Sequence, residues 1–368
     1  MPFAHITGWG MSVPEHVLTN FDLEKIIDTS DQWIVEMTGI SERHIAGENQ
    51  TTSMLAVEAA WKALYVAKLK PTEIDLIICA TSTPEHLFPA TACLIQDRLG
   101  ATKAGAFDLS AACSGFIYAL NMAAQAIKSG SLKNVLVIGA ETLSQLVDWS
   151  DRNTCILFGD GAGAIVMQSS ENPGGFISAV MHSDGSGADL LTVPAGGSKN
   201  PASEETIKAG MHYIHMDGRE VFRFATRVMA QATREVLLSS KILMKDVKWI
   251  IPHQANLRII EAAARGLKLP LTRFVVNLER YGNTSTASIP IAICEAAQDG
   301  RLQKGDKFVL VGFGAGLTWG ALTAEWTGVL ETEHVIRPTY YRIIARARSL
   351  LRRFWLRIEG IIWGRNNP

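Results

Sequence analysis

The sequence predicts an α/β protein made of two copies of one unit, followed by a C-terminal amphipathic helix. Apolar, β-rich runs alternate with Ala-rich helical segments, the alternation occurs twice in the same order, and the charge changes sign near the end of the chain. The 368 residues are 47% hydrophobic and 19% charged, which supports a sizeable core and excludes a disordered or collagen-like chain.

In the first unit, the apolar run from Glu73 to Ala80 (EIDLIICA) reads as a strand and precedes a helix from about Ala90 to Leu99. A strand from Ala104 to Leu109, a turn bearing Cys113, a helix from Ser114 to Lys128 and a strand from Asn134 to Gly139 follow. The second unit repeats this order: a strand from Asp246 to Pro252, a helix from Leu257, a strand from Arg273 to Leu278 and a turn bearing Asn283. It closes with a helix from Ser285 to Gln298 and a strand from Lys307 to Gly312. Cys113 and Asn283 are expected in matching turns, each just ahead of a helix, and His253 follows the first strand of the second copy. Ligands bind beyond the carboxyl ends of strands in open α/β sheets, so the three residues could converge on one site. The expected division is 1–172, 173–329 and a basic extension 330–368.

The net charge of −1 gives no sign of nucleic-acid binding by wholesale phosphate neutralisation. The total hides a divided chain. Residues 338–368 hold seven Arg and one Glu, a net of +6, which leaves 28 basic against 35 acidic residues, or −7, for the rest. Five scattered cysteines without a CxxC pair or a Cys/His cluster suggest neither disulfides nor zinc, and a reducing cytoplasm is expected. The N-terminus lacks a signal-peptide pattern and no apolar run reaches spanning length.

SAACSGF places Cys113 just ahead of a helix, where the dipole and free amides are expected to lower the thiol pKa and favour a nucleophile. Small neighbours leave room for an acyl group. Cys79, Cys93, Cys155 and Cys294 lack that setting and read as small core residues. PHQANLRII sets His253 between a strand end and a helix start, and YGNTSTASIP offers Asn283 as a neutral donor that cannot act as a base. Separately, each is a weak signal.

Together, SDQWIVEMTGI, AACSGF, DRNTCILFGDGAGA, HQANLRII, GNTSTAS and GFGAGLTWG resemble, in order, the blocks of the β-ketoacyl-acyl-carrier-protein synthase III branch of the thiolase superfamily. The resemblance runs from about Ala4 to Trp326. It implies a thiolase-like, five-layered αβαβα fold from two duplicated halves, in agreement with the repeat. It implies a homodimeric acyltransferase of fatty acid biosynthesis, without a resident cofactor or metal, acting on acyl-CoA and malonyl-acyl-carrier protein. Carried over, Cys113 is the acylated nucleophile, while His253 and Asn283 bind the thioester carbonyl that becomes an enolate on decarboxylation. The backbone amides of Cys113 and Ala315 form the oxyanion hole. Trp33 and Arg152 meet the coenzyme A nucleotide, and Asn256 and Arg258 take the tunnel and carrier contacts. Phe313 lines the acyl pocket, and Phe88 reaches across a dimer to cap it. Met37 departs from the family, many of whose members have Arg there. Asn283 argues against elongating synthases, which resemble a Cys/His/His set. The absence of a second cysteine in Gly312–Gly320 argues against thiolases. Other readings on this scaffold are an acyltransferase, a specialised-metabolism condensing enzyme or a non-catalytic membrane-docked protein.

The glycine runs at 159–163 and 312–316 complete neither GxGxxG in a strand-to-helix context nor GxxxxGK[ST], so close backbone packing is expected, with no NAD or ATP. Beyond Pro338, Ile343, Leu350, Phe354, Ile358, Ile361 and Ile362 join other apolar residues in an arc of roughly 140°, with the arginines outside it. Such a helix suits an anionic membrane surface; it equally suits packing on its own dimer or on an acidic carrier protein.

Overall fold

The computed structural model describes residues 1–329 and 338–362, with side chains through residue 359. Two mixed sheets form its frame. The first contains β1 (Phe3–Ser12), β2 (Leu76–Ala80), β3 (Gly105–Leu109), β4 (Asn134–Glu141) and β5 (Gly161–Ser170), in the order β1-β5-β4-β2-β3. The second contains β6 (Gly175–Ser183), β7 (Val247–Pro252), β8 (Lys307–Gly314) and β9 (Thr318–Glu325), in the order β7-β8-β9-β6. In each sheet one strand runs antiparallel between otherwise parallel neighbours: β5 pairs antiparallel with β1 and β4, and β9 with β8 and β6.

Helices of eight residues or more are α1 (Asp31–Thr38), α2 (Thr52–Ala67), α3 (Thr91–Leu99), α4 (Gly115–Lys128), α5 (Gly218–Ser240), α6 (Leu257–Leu267), α7 (Ser288–Gln298) and α8 (Pro338–Ile362). The alternation of side chains along each strand sorts them into layers. Ile78, Val135 and Val137 of the first sheet and Phe308 and Leu310 of the second point inward, onto α4 and α7. Ile77, Leu136 and Ile138 point outward onto α2 and α3, whereas Ile250, Val309 and Val311 point onto α5 and α6. Two sheets and three helical layers give the five-layered α/β architecture. The continuous apolar runs follow from strands covered on both faces.

Most strand expectations fall within a few residues of what forms. The stretch 273–278 does not become a strand. Phe274 makes one isolated parallel bridge to Ile250, and the Val275 amide donates to the Ile250 carbonyl at 2.9 Å. Beyond that bridge a side chain takes over the pairing. Gln254 Nε2 donates to the carbonyls of Pro252 (2.7 Å) and Val275 (3.0 Å), and its Oε1 accepts from the Asn277 amide (3.1 Å). The expected strand at 73–80 starts later, because Pro71–Glu73 form a 3-10 turn.

The glycines at 159–163 pack as expected, since a side chain on Gly163 would press on Pro290 at 2.6 Å. Their acid, Asp160, is buried and accepts from the amides of Ala46 (2.7 Å) and Ser144 (2.9 Å) and from the Ser144 hydroxyl (2.5 Å). Among the described residues, no helix is long and apolar enough to cross a membrane, and no cluster of three His, Cys, Asp or Glu side chains could hold a metal.

Candidate active site

Cys113 lies beyond the carboxyl end of β3, in the 3-10 turn Ala112–Ser114 that leads into α4. The turn is tight enough to hold Ala112 at φ +44°, a conformation that L-residues rarely adopt. The end of β8 closes over it. A Cβ on Gly314 would sit 2.6 Å from the Cys113 amide nitrogen, so the close approach requires glycine. Thr318 Oγ1 lies 3.0 Å from the carbonyl oxygens of both Ala111 and Ala315 and 2.7 Å from Ser114 Oγ, which pins the Ala315 turn to the cysteine turn.

The expected low thiol pKa is not found. Burial pushes Cys113 up to about 12, Ser285 lowers it less, and Glu141 adds to the rise. The helix start lies two residues away, and desolvation of a 7%-exposed thiol outweighs its dipole. The resting side chain is therefore a neutral thiol.

His253 follows β7 and is 1% exposed. Burial lowers its pKa to about 3, so the imidazole is neutral throughout the physiological range. Its Nδ1 lies 2.7 Å from Ser288 Oγ, its ring packs edge-on against Phe313 at 5.3 Å, and its Nε2 is buried without a partner. The Gln254 amide also donates to Ser288 Oγ (3.4 Å), so that hydroxyl can pass its own hydrogen to Nδ1. This assigned tautomer leaves the proton on Nε2, as a free donor.

Asn283 Oδ1 accepts from the Ser285 amide at 2.9 Å, which turns the NH2 group away from that turn. Asn283 and Cys113 do not occupy equivalent positions. Ser285–Ala287 form the 3-10 turn ahead of α7, as Ala112–Ser114 do ahead of α4, and Ser285 has φ +47°. Ala112 therefore matches Ser285, Cys113 matches Thr286, and Asn283 lies three residues before the twin of the cysteine. The stretch Ser285–Ser288 nonetheless meets all three: its turn packs on the cysteine turn, the Ser285 amide fixes Asn283, and Ser288 holds His253.

Sequence reasoning missed both serines, as well as Glu141. This wholly buried acid at the end of β4 accepts from the amides of Ser82 (3.1 Å) and Thr83 (3.0 Å) and the hydroxyls of Thr83 (2.6 Å) and Thr286 (3.0 Å). Burial raises its pKa and these donors oppose the rise. An acidic residue closing an apolar strand was the available signal. Gly139 on the same strand admits the Thr286 carbonyl at a distance that no side chain would allow.

The softer candidates gather elsewhere. A cleft of about 1400 Å³ is lined by Trp33, Met37, Asn256 and Arg258, with Asp148, Tyr213 and Arg219 among its other walls. Arg152 stacks over the Trp33 ring at 4.6 Å. Asn256 caps α6 by accepting from the Arg258 amide (2.9 Å) and donates to the Met37 carbonyl (2.9 Å), and Arg258 Nη1 points at Met37 Sδ (3.6 Å). Phe313 is buried beside His253, whereas Phe88 is 86% exposed, away from the buried Cys113.

The five-layered architecture is that of the thiolase-like condensing enzymes, and the turns bearing Cys113, His253 and Asn283 all adjoin the Ser285–Ser288 stretch. Models of 3-oxoacyl-[acyl-carrier-protein] synthase III match residues 107–185 and, for its C-terminal part, 237–326. The chain is 55% identical over 322 residues to the β-ketoacyl-[acyl-carrier-protein] synthase III of Desulfitobacterium hafniense, covering 88% of this chain and 97% of that one. It superposes on the crystal structure of the Aquifex aeolicus 3-oxoacyl-[acyl-carrier-protein] synthase III with a TM-score of 0.81, 50% identity and coverage of 88% and 100%. The Thermus thermophilus structure gives 0.82, 46%, and 88% and 100%. The chain belongs to the 3-oxoacyl-[acyl-carrier-protein] synthase III family and is an acyltransferase-type condensing enzyme.

Proposed function

We propose that this enzyme takes an acyl group from an acyl-CoA onto Cys113 and extends it with malonyl-acyl-carrier protein, releasing carbon dioxide and starting fatty acid synthesis. In the first half-reaction the Cys113 sulfur bonds the acyl carbon, the carbon–sulfur bond to coenzyme A breaks, and the thiol proton leaves with coenzyme A. The amides of Cys113 and Ala315 receive the transient oxyanion. In the second, malonyl loses its carboxylate as carbon dioxide, and the enolate oxygen takes hydrogen bonds from His253 Nε2 and Asn283 Nδ2. The enolate carbon attacks the acyl carbon, the bond to sulfur breaks, and the thiolate regains a proton.

The observation that carries this reading is the Ser285–Ser288 stretch, which ties a neutral, unpartnered imidazole nitrogen and a carboxamide to the same turn that touches the buried thiol. Neutral donors stabilise an enolate without protonating it. The cleft at Trp33, Arg152, Asn256 and Arg258 is the entry for coenzyme A and the carrier protein. Exposed Phe88 and the open edge strand β3, with Phe107 exposed, support a homodimer in which Phe88 caps the partner's acyl pocket. Two halves divided near residue 172 and contact between residues 338–368 and a membrane surface complete the reading.

Intact-mass analysis with a panel of acyl-CoA thioesters tests it. One acyl adduct on Cys113, followed by carbon dioxide release on adding malonyl-acyl-carrier protein, is the expected result. An adduct on another residue, or acyl transfer to an alcohol or amine without carbon dioxide, would refute it.

A further inference from the structure

The helix beyond the family's matched region lies on the protein by its polar side. Ala345 is buried against Gly100 at the end of α3. Arg342 forms a bidentate pair with Glu58 on α2 (2.9 and 2.8 Å), with its guanidinium 5.6 Å above the Trp61 ring. Ser349 (2.7 Å) and Arg353 (3.3 Å) both bond Asp97 on α3. The apolar arc therefore faces outward: Ile343 is 64% exposed, Leu350 68%, Leu351 60%, Phe354 59% and Trp355 56%. A helix recruited to extend its own core would dock the other way round.

We propose that this outward stripe lies in the surface of an anionic lipid bilayer while the polar side of α8 holds the enzyme above it. The proposal rests on the membrane contact read above and adds the contacting face and the orientation. Charge decides the occupant. Arg346 and Arg357 border the stripe on one side, Arg348 and Arg352 on the other, and none of the four has an ion pair or hydrogen bond among the described residues. A second copy meeting stripe to stripe would set arginine rows against arginine rows. Anionic headgroups match both borders at once, and each arginine near such a surface adds to the attraction. From Ile343 to Ile358 the stripe runs roughly 22 Å along a helix of 1.5 Å rise, a long straight contact suited to a flat bilayer. A groove of about 600 Å³ between α8 and the end of α3, lined by Gln96, Arg348, Arg352 and Trp355, opens beside one border.

The full chain is tested by co-sedimentation with vesicles of pure phosphatidylglycerol or pure phosphatidylcholine. Expected is binding to phosphatidylglycerol at least tenfold above phosphatidylcholine. Phe354→Glu and the double variant Arg346→Glu/Arg357→Glu should each lose it, with melting temperature and condensation of soluble substrates unchanged. Equal binding to both vesicles would overturn the anionic assignment while leaving a membrane contact. No binding to either would overturn both. Absent vesicle binding, capture of acyl carrier protein, or self-association, that Phe354→Glu abolishes would give the stripe to a protein and sink the proposal.

Discussion

Two turns of near-identical backbone, Ala112–Ser114 ahead of α4 and Ser285–Ala287 ahead of α7, have diverged in chemistry. Both begin with a non-glycine residue in the left-handed region, at φ +44° and +47°. The first presents a sulfur at its second position. The second places Thr286 there and turns its hydroxyl to the Ala80 carbonyl (2.9 Å) and Glu141 (3.0 Å). The duplication thus supplied two equivalent positions, and only one carries a thiol. Around the other, Ser285 and Ser288 became the brace on which Asn283 and His253 depend.

The sharpest way to break that difference is to move the thiol. Cys113→Ser should lower condensation by about 10³-fold or more and remove the acyl adduct in intact mass. Adding Thr286→Cys to it should restore nothing, because that side chain faces Glu141. His253→Ala or Asn283→Ala should each lower kcat by about 10²-fold while Cys113 still acylates, as measured by adduct mass beside steady-state rates. Ser288→Ala frees the imidazole to change tautomer, and about a tenfold loss of kcat with partial rescue by Ser288→Thr is expected. Thr286→Val should cost about 1–3 kcal/mol in denaturant unfolding, by leaving Glu141 short of a donor. Ala112→Gly, the smallest change, should relieve the left-handed strain and stabilise by up to about 1 kcal/mol.

Acidity offers another handle. The unfolded chain takes up a proton on His253 below its ordinary pKa of 6.5, whereas the folded protein holds it neutral to about 3. Stability should therefore fall as pH drops from 6.5 toward 3. A urea-midpoint series in which His253→Gln flattens that fall would check it.

The legible parts of the fold were those whose signal is local. Continuous apolar runs announced strands, which the fold covers on both faces, and the repeated order announced the twofold plan. The stretch 273–278 misled because its apolar centre, Phe274 to Val276, resembles a strand, while the pairing is completed by Gln254, an amide outside the window that periodicity reads. For Cys113 the sequence shows small neighbours and a helix start, which suggest a lowered pKa, but not the depth of burial that raises it. Ser285 and Ser288 gave no warning, since a buried serine and a solvated one look alike in sequence. In the extension, the arc was plain; which side docks depends on Glu58 and Asp97, 284 and 252 residues from their partners in the chain.

The Ser285–Ser288 stretch belongs to the second sheet's half and the thiol to the first. Neither half alone can hold a reactive constellation, so separately expressed fragments should be inert and regain chemistry only on reassembly. During refolding, competence to acylate should switch on late and all at once, when the two sheets close over the helices between them.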